Sequence, residues 1–144
     1  MQNQTMPGIP AGGLKEVGQI HPTNDLVLQR TQNAMDIAVA LLSSHTQGAP
    51  VVDDKKHLVG FVSESDLLRA LRADKDLNSL TAEDVMVRGH IAVTADTNID
   101  DALKLMEDKR LLDLPVTKEG TVAYSITRHD MLRAWIGLGV DIET

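Results

Sequence analysis

The chain contains no cysteine. Disulfides, thiol catalysis and cysteine-ligated zinc are therefore excluded, and the absence fits a reducing cytoplasm. Aromatic residues make up only 2% of the chain, so Leu, Val, Ile, Ala and Met must fill any core. Positive charge is in short supply: 14 Lys and Arg stand against 21 Asp and Glu, a net charge of −7. Phosphate-rich polymers are held by basic patches, so nucleic acid is not expected as the main partner. No apolar run is long enough to cross a bilayer, and no membrane partner is expected. The opening "MQNQTMPGIPAGG" lacks a basic region and an apolar stretch, so it does not read as a signal peptide. Its Gly, Pro and Gln read as a flexible arm over residues 1–14. His21, His45, His57, His90 and His129 show no metal-ligand spacing, and no nucleophile elbow or phosphate loop is present. Neither catalytic residues nor a metal site is expected.

What is present is a repeat. "GFVSESDLLRAL" (60–71) and "YSITRHDMLRAW" (124–135) agree at Asp66/Asp130, Leu68/Leu132, Arg69/Arg133 and Ala70/Ala134. The similarity extends backward. Residues 33–52 lie on residues 98–117 without a gap, matching Asn33/Asn98, Asp36/Asp101, Pro50/Pro115 and Val51/Val116. Between the Pro and the shared Asp the second copy is one residue shorter, which a deletion in a turn explains.

Each copy has a readable pattern. Ile99, Ala102, Leu103 and Met106 form one apolar helical stripe, and Ala34, Ile37, Ala38 and Leu41 repeat it. Asn33 and Asn98 stand where N-caps belong. The β-favouring runs 49–52 and 114–117 follow, then polar turns, then second strands over 58–62 and 122–126. Second helices are expected near 65–72 and 129–137, and early strands at 26–28 and 91–93. Each copy thus reads β-α-β-β-α, an α/β (α+β) chain of 144 residues with 42% apolar content. The spacing divides it into a first domain over 15–73, a polar linker over 74–80 and a second domain over 81–144. A copy of about 60 residues is marginal alone, because it buries too little surface. Two copies packed together share a core.

The unit, its "APVV" and "LPVT" strands, its "GFVSESD" and "YSITRHD" junctions and the "DVM" lead-in at 84–86 resemble tandem cystathionine-β-synthase (CBS) domains. The resemblance covers nearly the whole chain. It implies two CBS repeats with pseudo-twofold symmetry and a ligand cleft at each junction. It implies a stand-alone regulatory module that binds an adenosine derivative such as AMP, ADP or ATP, pairs into a homodimer and acts on a partner protein.

The junction chemistry has two compatible readings. Ser63-x-x-Asp66 and Thr127-x-x-Asp130 have the form of capping boxes. The same helix N-termini present free N–H groups that can hold a phosphate. By the resemblance, Asp66 and Asp130 take ribose hydroxyls, Ser63 and Thr127 lie near phosphate, and Ala49, Val51, Leu114 and Val116 line base pockets. Arg128 stands beside Thr127, whereas Glu64 stands beside Ser63, so the second cleft is expected to bind a phosphorylated ligand more tightly. Tyr124 stands where the first copy has Gly60; it either blocks the second cleft or stacks on a base. The alternative class is a ligand-free scaffold for dimerisation and partner binding. Leu67, Leu68 and Leu71, with Met131, Leu132, Trp135 and Ile136, exceed what one helix face buries and suggest a homodimer seam.

Overall fold

The computed structural model describes residues 14–23 and 25–138; most of the arm predicted over 1–14 lies outside them. The chain begins with a 3-10 turn at Val17–Gln19, then β1 (Leu28–Gln29), α1 (Ala34–Ser44), β2 (Gly48–Val52), β3 (Leu58–Ser63) and α2 (Glu64–Arg72). A second 3-10 turn at Leu77–Ser79 leads to α3 (Ala82–Val85) and β4 (Val87–Arg88). The second repeat supplies β5 (Val93–Thr94), α4 (Ile99–Asp108), β6 (Asp113–Lys118), β7 (Thr121–Thr127) and α5 (Arg128–Trp135).

Both sheets have the same plan. β1 runs parallel to β2, which runs antiparallel to β3; β5, β6 and β7 repeat this. Leu28 pairs with Val51 and Val93 with Val116 at matching positions. Both hairpins carry a register shift just after Val51 or Val116. Their turns differ. Residues 53–57 make a longer loop, in which the Asp53 carboxylate accepts from the Lys55 and His57 N–H groups at 2.8 and 2.9 Å. Glu119 and Gly120 instead turn in two residues, both at positive φ. That is the tight hairpin geometry whose twist suits its strands, and it locates the deletion.

Helices form where the apolar stripes predict. The Asn33 side chain accepts from Met35 and Asp36 N–H at 2.8 and 3.1 Å; Asn98 does the same for Asp100 and Asp101 at 2.8 and 3.3 Å. Each such cap contributes about 1 kcal/mol. Ile37 and Leu41 enter the first core, Ile99 and Met106 the second. Full burial of each stabilises by about 1.5–3 kcal/mol.

The halves are interlocked. Leu14, Val17 and Ile20 are buried in the core of the second repeat, although the sequence pattern puts residues 15–20 with the first. Leu77 and Ala82 enter the first core in return. The backbone bonds repeat at a constant offset. Ile99 N–H donates to Lys15 O and Ala34 N–H to Leu80 O, both at 2.8 Å. Val17 N–H donates to Thr97 O at 2.9 Å and Ala82 N–H to Gln32 O at 2.8 Å. The segment over 74–80, expected as a polar linker, therefore supplies a core residue, Leu77, and a backbone acceptor, Leu80 O, to the first repeat. Neither repeat has a complete core without the segment leading into the other.

Among the described residues β4 has no strand counterpart in the second sheet. It pairs antiparallel to β3, Gly60 opposite Arg88 and Phe61 opposite Val87. One repeat length earlier stand Pro22 and Thr23, where Pro22 has no N–H to give to a ladder.

Candidate functional site

Each junction is a capping box. At Thr127 the backbone N–H and the hydroxyl donate to Asp130 Oδ2 at 3.0 and 3.2 Å, and Asp130 N–H donates back to Thr127 Oγ1 at 3.1 Å. At Ser63 the corresponding distances are 2.8, 2.9 and 3.3 Å. The second oxygen separates the two. Asp66 Oδ1 accepts from the exposed Arg69 guanidinium at 3.0 Å. Asp130 Oδ1 accepts instead from Thr23 N–H at 3.0 Å, tying the lead-in of the first repeat to the junction of the second. Both acids are buried, Asp130 to 1% exposure.

A cleft of about 610 Å³ opens at the second junction. Thr127, Arg128, His129 and Asp130 line one side. Thr23, Leu26 and the turn over 44–48, from the end of α1 into β2, line the other. Asp113, Leu112 and Ser125 close the wall between. The volume falls in the range of small-molecule sites. The first turn of α5 carries N–H groups and a partial positive charge toward this space, which suits an anion.

The asymmetry between the junctions has a structural cause. Gly48 pairs with Ser63 and Pro50 with Phe61; their counterparts are Asp113 opposite Thr127 and Pro115 opposite Ser125. Gly/Phe in the first repeat thus becomes Asp/Ser in the second. A Cβ on Gly48 would lie 2.5 Å from Phe61 Cε2 and 2.8 Å from Val62 O. Phe61 stacks on His90, with centroids 4.3 Å apart and planes 17° apart. An aromatic pair therefore stands in the first repeat at the position that Ser125 holds in the second.

His90 Nε2 lies 3.9 Å from Asp113 Oδ1 and, like Ser125 Oγ, is buried without a hydrogen-bond partner. Burial pushes the Asp113 carboxyl up to about 7. Burial also holds His90 below its usual value, partly offset by a bond involving the Asp113 backbone. At 3.9 Å, with burial disfavouring the charged form of both groups, this contact is not a strong ion pair.

Thr127, Arg128 and Asp130, expected from the sequence, come together at the cleft. Ser63 and Asp66 do not line it. Ala49, Val51, Leu114 and Val116 are core residues at 0–1% exposure, and none lines it either. The wall is formed one step earlier on each strand, by Gly48 and Asp113. Tyr124 neither blocks nor enters this cleft. It is 9% exposed in the second core, with Lys118 Nζ 5.6 Å from its ring centroid. Gly60, the counterpart of Tyr124, makes room for the chain itself: a Cβ there would meet Met86 Sδ at 2.5 Å and Val87 O at 2.9 Å. Sequence reasoning missed Asp113, Ser125 and the Phe61–His90 pair. The Gly48/Asp113 and Phe61/Ser125 exchanges at aligned positions were the available signal.

Among the described residues, no helix is long and apolar enough to cross a membrane. Among the same residues, no group of three or more His, Asp or Glu is placed to hold a metal ion.

Comparison with known proteins places these features in context. A model of the CBS domain matches residues 17–73 and 82–137. An uncharacterized protein of Methanocaldococcus jannaschii is 27% identical over 117 residues, covering 81% of this chain but 41% of its own length. The YlbB protein of Bacillus subtilis is 33% identical over 100 residues, 69% of this chain and 68% of its own. The chain thus spans less than half of the first relative and about two thirds of the second. CBSX2 in complex with AMP shares the architecture with a TM-score of 0.71 and 28% identity, over 84% of this chain and 96% of that one. CBSX2 is an Arabidopsis thaliana CBS-pair protein.

Proposed function

We propose that this chain, which belongs to the CBS domain family, is a regulatory module that binds an adenosine-containing nucleotide at the Thr127/Asp130 cleft. The observation that carries the reading is the 610 Å³ opening at the second junction, walled by both repeats. Thr127, Arg128 and the first N–H groups of α5 receive the phosphate. Asp130 Oδ1, which accepts only from Thr23 N–H, keeps a lone pair to receive a ribose hydroxyl. The family relative CBSX2 with AMP supports an adenine nucleotide as the ligand class. Ser63 and Asp66 form the weaker site, because Phe61 fills its mouth and Arg69 holds Asp66. No catalytic role is assigned to either junction, and we place the chain in the cytoplasm.

The signal leaves through shape. The cleft joins the lead-in of one repeat to the junction of the other, so a ligand there biases how the halves sit. A homodimer is part of the reading. Leu68, Leu71, Leu132 and Ile136 are 48–65% exposed on α2 and just along α5, while Leu67 and Met131 turn into their own cores. The same face supports the second reading, a scaffold that works through this seam with its clefts empty.

A thermal-shift series with AMP, ADP, ATP, NAD and S-adenosylmethionine tests the first reading. A ligand at 100 times its Kd stabilises by about 2.7 kcal/mol. No shift with any of them at millimolar concentration leaves the scaffold.

A further inference from the structure

The cleft wall carries an acid that the nucleotide reading does not use. Asp113 opens β6 and pairs directly with Thr127, the residue that caps α5. Its carboxyl therefore stands beside the helix start that would receive a phosphate. The side chain is 5% exposed, and His90 Nε2, without a hydrogen-bond partner, lies 3.9 Å from its Oδ1. Ser125 Oγ, buried and without a partner, faces the same space. The other charged or titratable groups at the cleft are Arg128 and His129 on the exposed first turn of α5, Asp130 behind them and His45 at the end of α1. Among the described residues none of these forms an ion pair with Asp113.

A buried carboxylate and a phosphate dianion cannot share this wall cheaply, because like charges at short range in a low dielectric repel strongly. A neutral carboxylic acid can share it, since it has an O–H to donate to a phosphate oxygen. We propose that anion binding at this cleft is proton-coupled: a nucleotide phosphate binds together with one proton from solvent, taken up by the Asp113 carboxyl. This rests on the nucleotide reading above and makes the cleft a joint sensor of nucleotide and pH. Burial already holds Asp113 up to about 7, so the proton is available near neutrality. A nucleoside without phosphate binds without the coupling.

Calorimetry with AMP and with adenosine, in buffers of different ionisation enthalpy over pH 7.5–9, tests this. That range lies above the second phosphate ionisation at about 6. The expected result is uptake of close to one proton per AMP at pH 8 and none per adenosine. AMP affinity falls toward tenfold per pH unit as Asp113 ionises. In Asp113→Asn the uptake and the slope disappear, and AMP at pH 9 binds more tightly than to the wild type. His45, His90 and His129 remain in that variant, so uptake on them would persist and be seen. AMP binding without proton uptake in the wild type, or with equal uptake in Asp113→Asn, overturns the coupling and leaves the nucleotide reading intact. Absence of any AMP or adenosine binding overturns both.

Discussion

Replacing Gly48 by Ala tests the account of why the two junctions differ. The added methyl would stand 2.5 Å from Phe61 Cε2, 2.8 Å from Val62 O and 3.0 Å from Phe61 Cζ. Two of these contacts are with a ring clamped against His90 and one is with strand backbone. The ring cannot swing away without losing its stack, so strain is unavoidable. Overpacking of this kind costs about 1–3 kcal/mol, which lowers the Tm by roughly 3–10 °C for a chain of this size. Phe61→Ser alone is more severe, because Phe61 is 7% exposed and large-to-small changes at buried Phe cost about 3–5 kcal/mol. The double variant carries the decisive information. Without the ring only the 2.8 Å contact with Val62 O remains, so Gly48→Ala costs less in that background, and the two changes couple favourably by at least about 0.5 kcal/mol. Urea denaturation of the four proteins measures this. Additive effects, or a Gly48→Ala protein as stable as the wild type, refute the claim that Phe61 fills the first junction.

Phe61→Ser also opens the first junction, so AMP stoichiometry by calorimetry rises from one toward two per chain; an unchanged value means that Phe61 is not the obstacle. Asp113→Asn stabilises the unliganded chain in alkaline but not acidic buffer. The folded-state value near 7 lies above the usual carboxyl value, so the folded chain binds more protons between about pH 4 and 7, and stability falls as pH rises through that window. Removing the acid recovers on the order of a few kcal/mol at pH 8 and little at pH 4.5, and equal effects at both pH values in urea melts contradict it. Leu132→Asp, on a side chain 65% exposed, shifts the mass in light scattering from two chains to one with little change in Tm; a wild-type monomer, or a dimer that survives the change, removes α5 from the seam.

The fold was legible because its signals are local and doubled. The stripes through Ile37 and Ile99, the caps at Asn33 and Asn98 and the junctions at Asp66 and Asp130 each recur at a fixed offset. The segment exchange was not legible. Leu14, Val17 and Ile20 have the right composition for a core, but chain order says nothing about which core receives them. β4 was missed because Val87 and Arg88 are exposed and carry no strand pattern. Charge beside the two acids pointed to the second cleft as the tighter one. Arg128, His129 and Glu64 are all exposed, however, where screening weakens them. The larger difference is steric and arises beside the junction itself, in a Gly48/Phe61 contact between β2 and β3 that only the register brings together. Nothing within "LLDLPVT" singles out Asp113; it is buried in the cleft wall beside His90, surroundings that no short stretch of sequence contains.

The most direct test is calorimetric titration of AMP into the wild type, Asp66→Ala and Asp130→Ala, with circular dichroism to establish that each variant is folded. Both changes remove the same capping bonds, and Asp130→Ala also releases the Thr23 N–H and so costs more stability; once both variants are shown to be folded, their effects on binding separate the clefts. The account predicts one AMP per wild-type chain, binding retained in Asp66→Ala and binding weakened by about tenfold or more in Asp130→Ala, as expected when a buried hydrogen-bonding partner of about 1.5–3 kcal/mol is lost. Binding that survives Asp130→Ala and disappears in Asp66→Ala contradicts it.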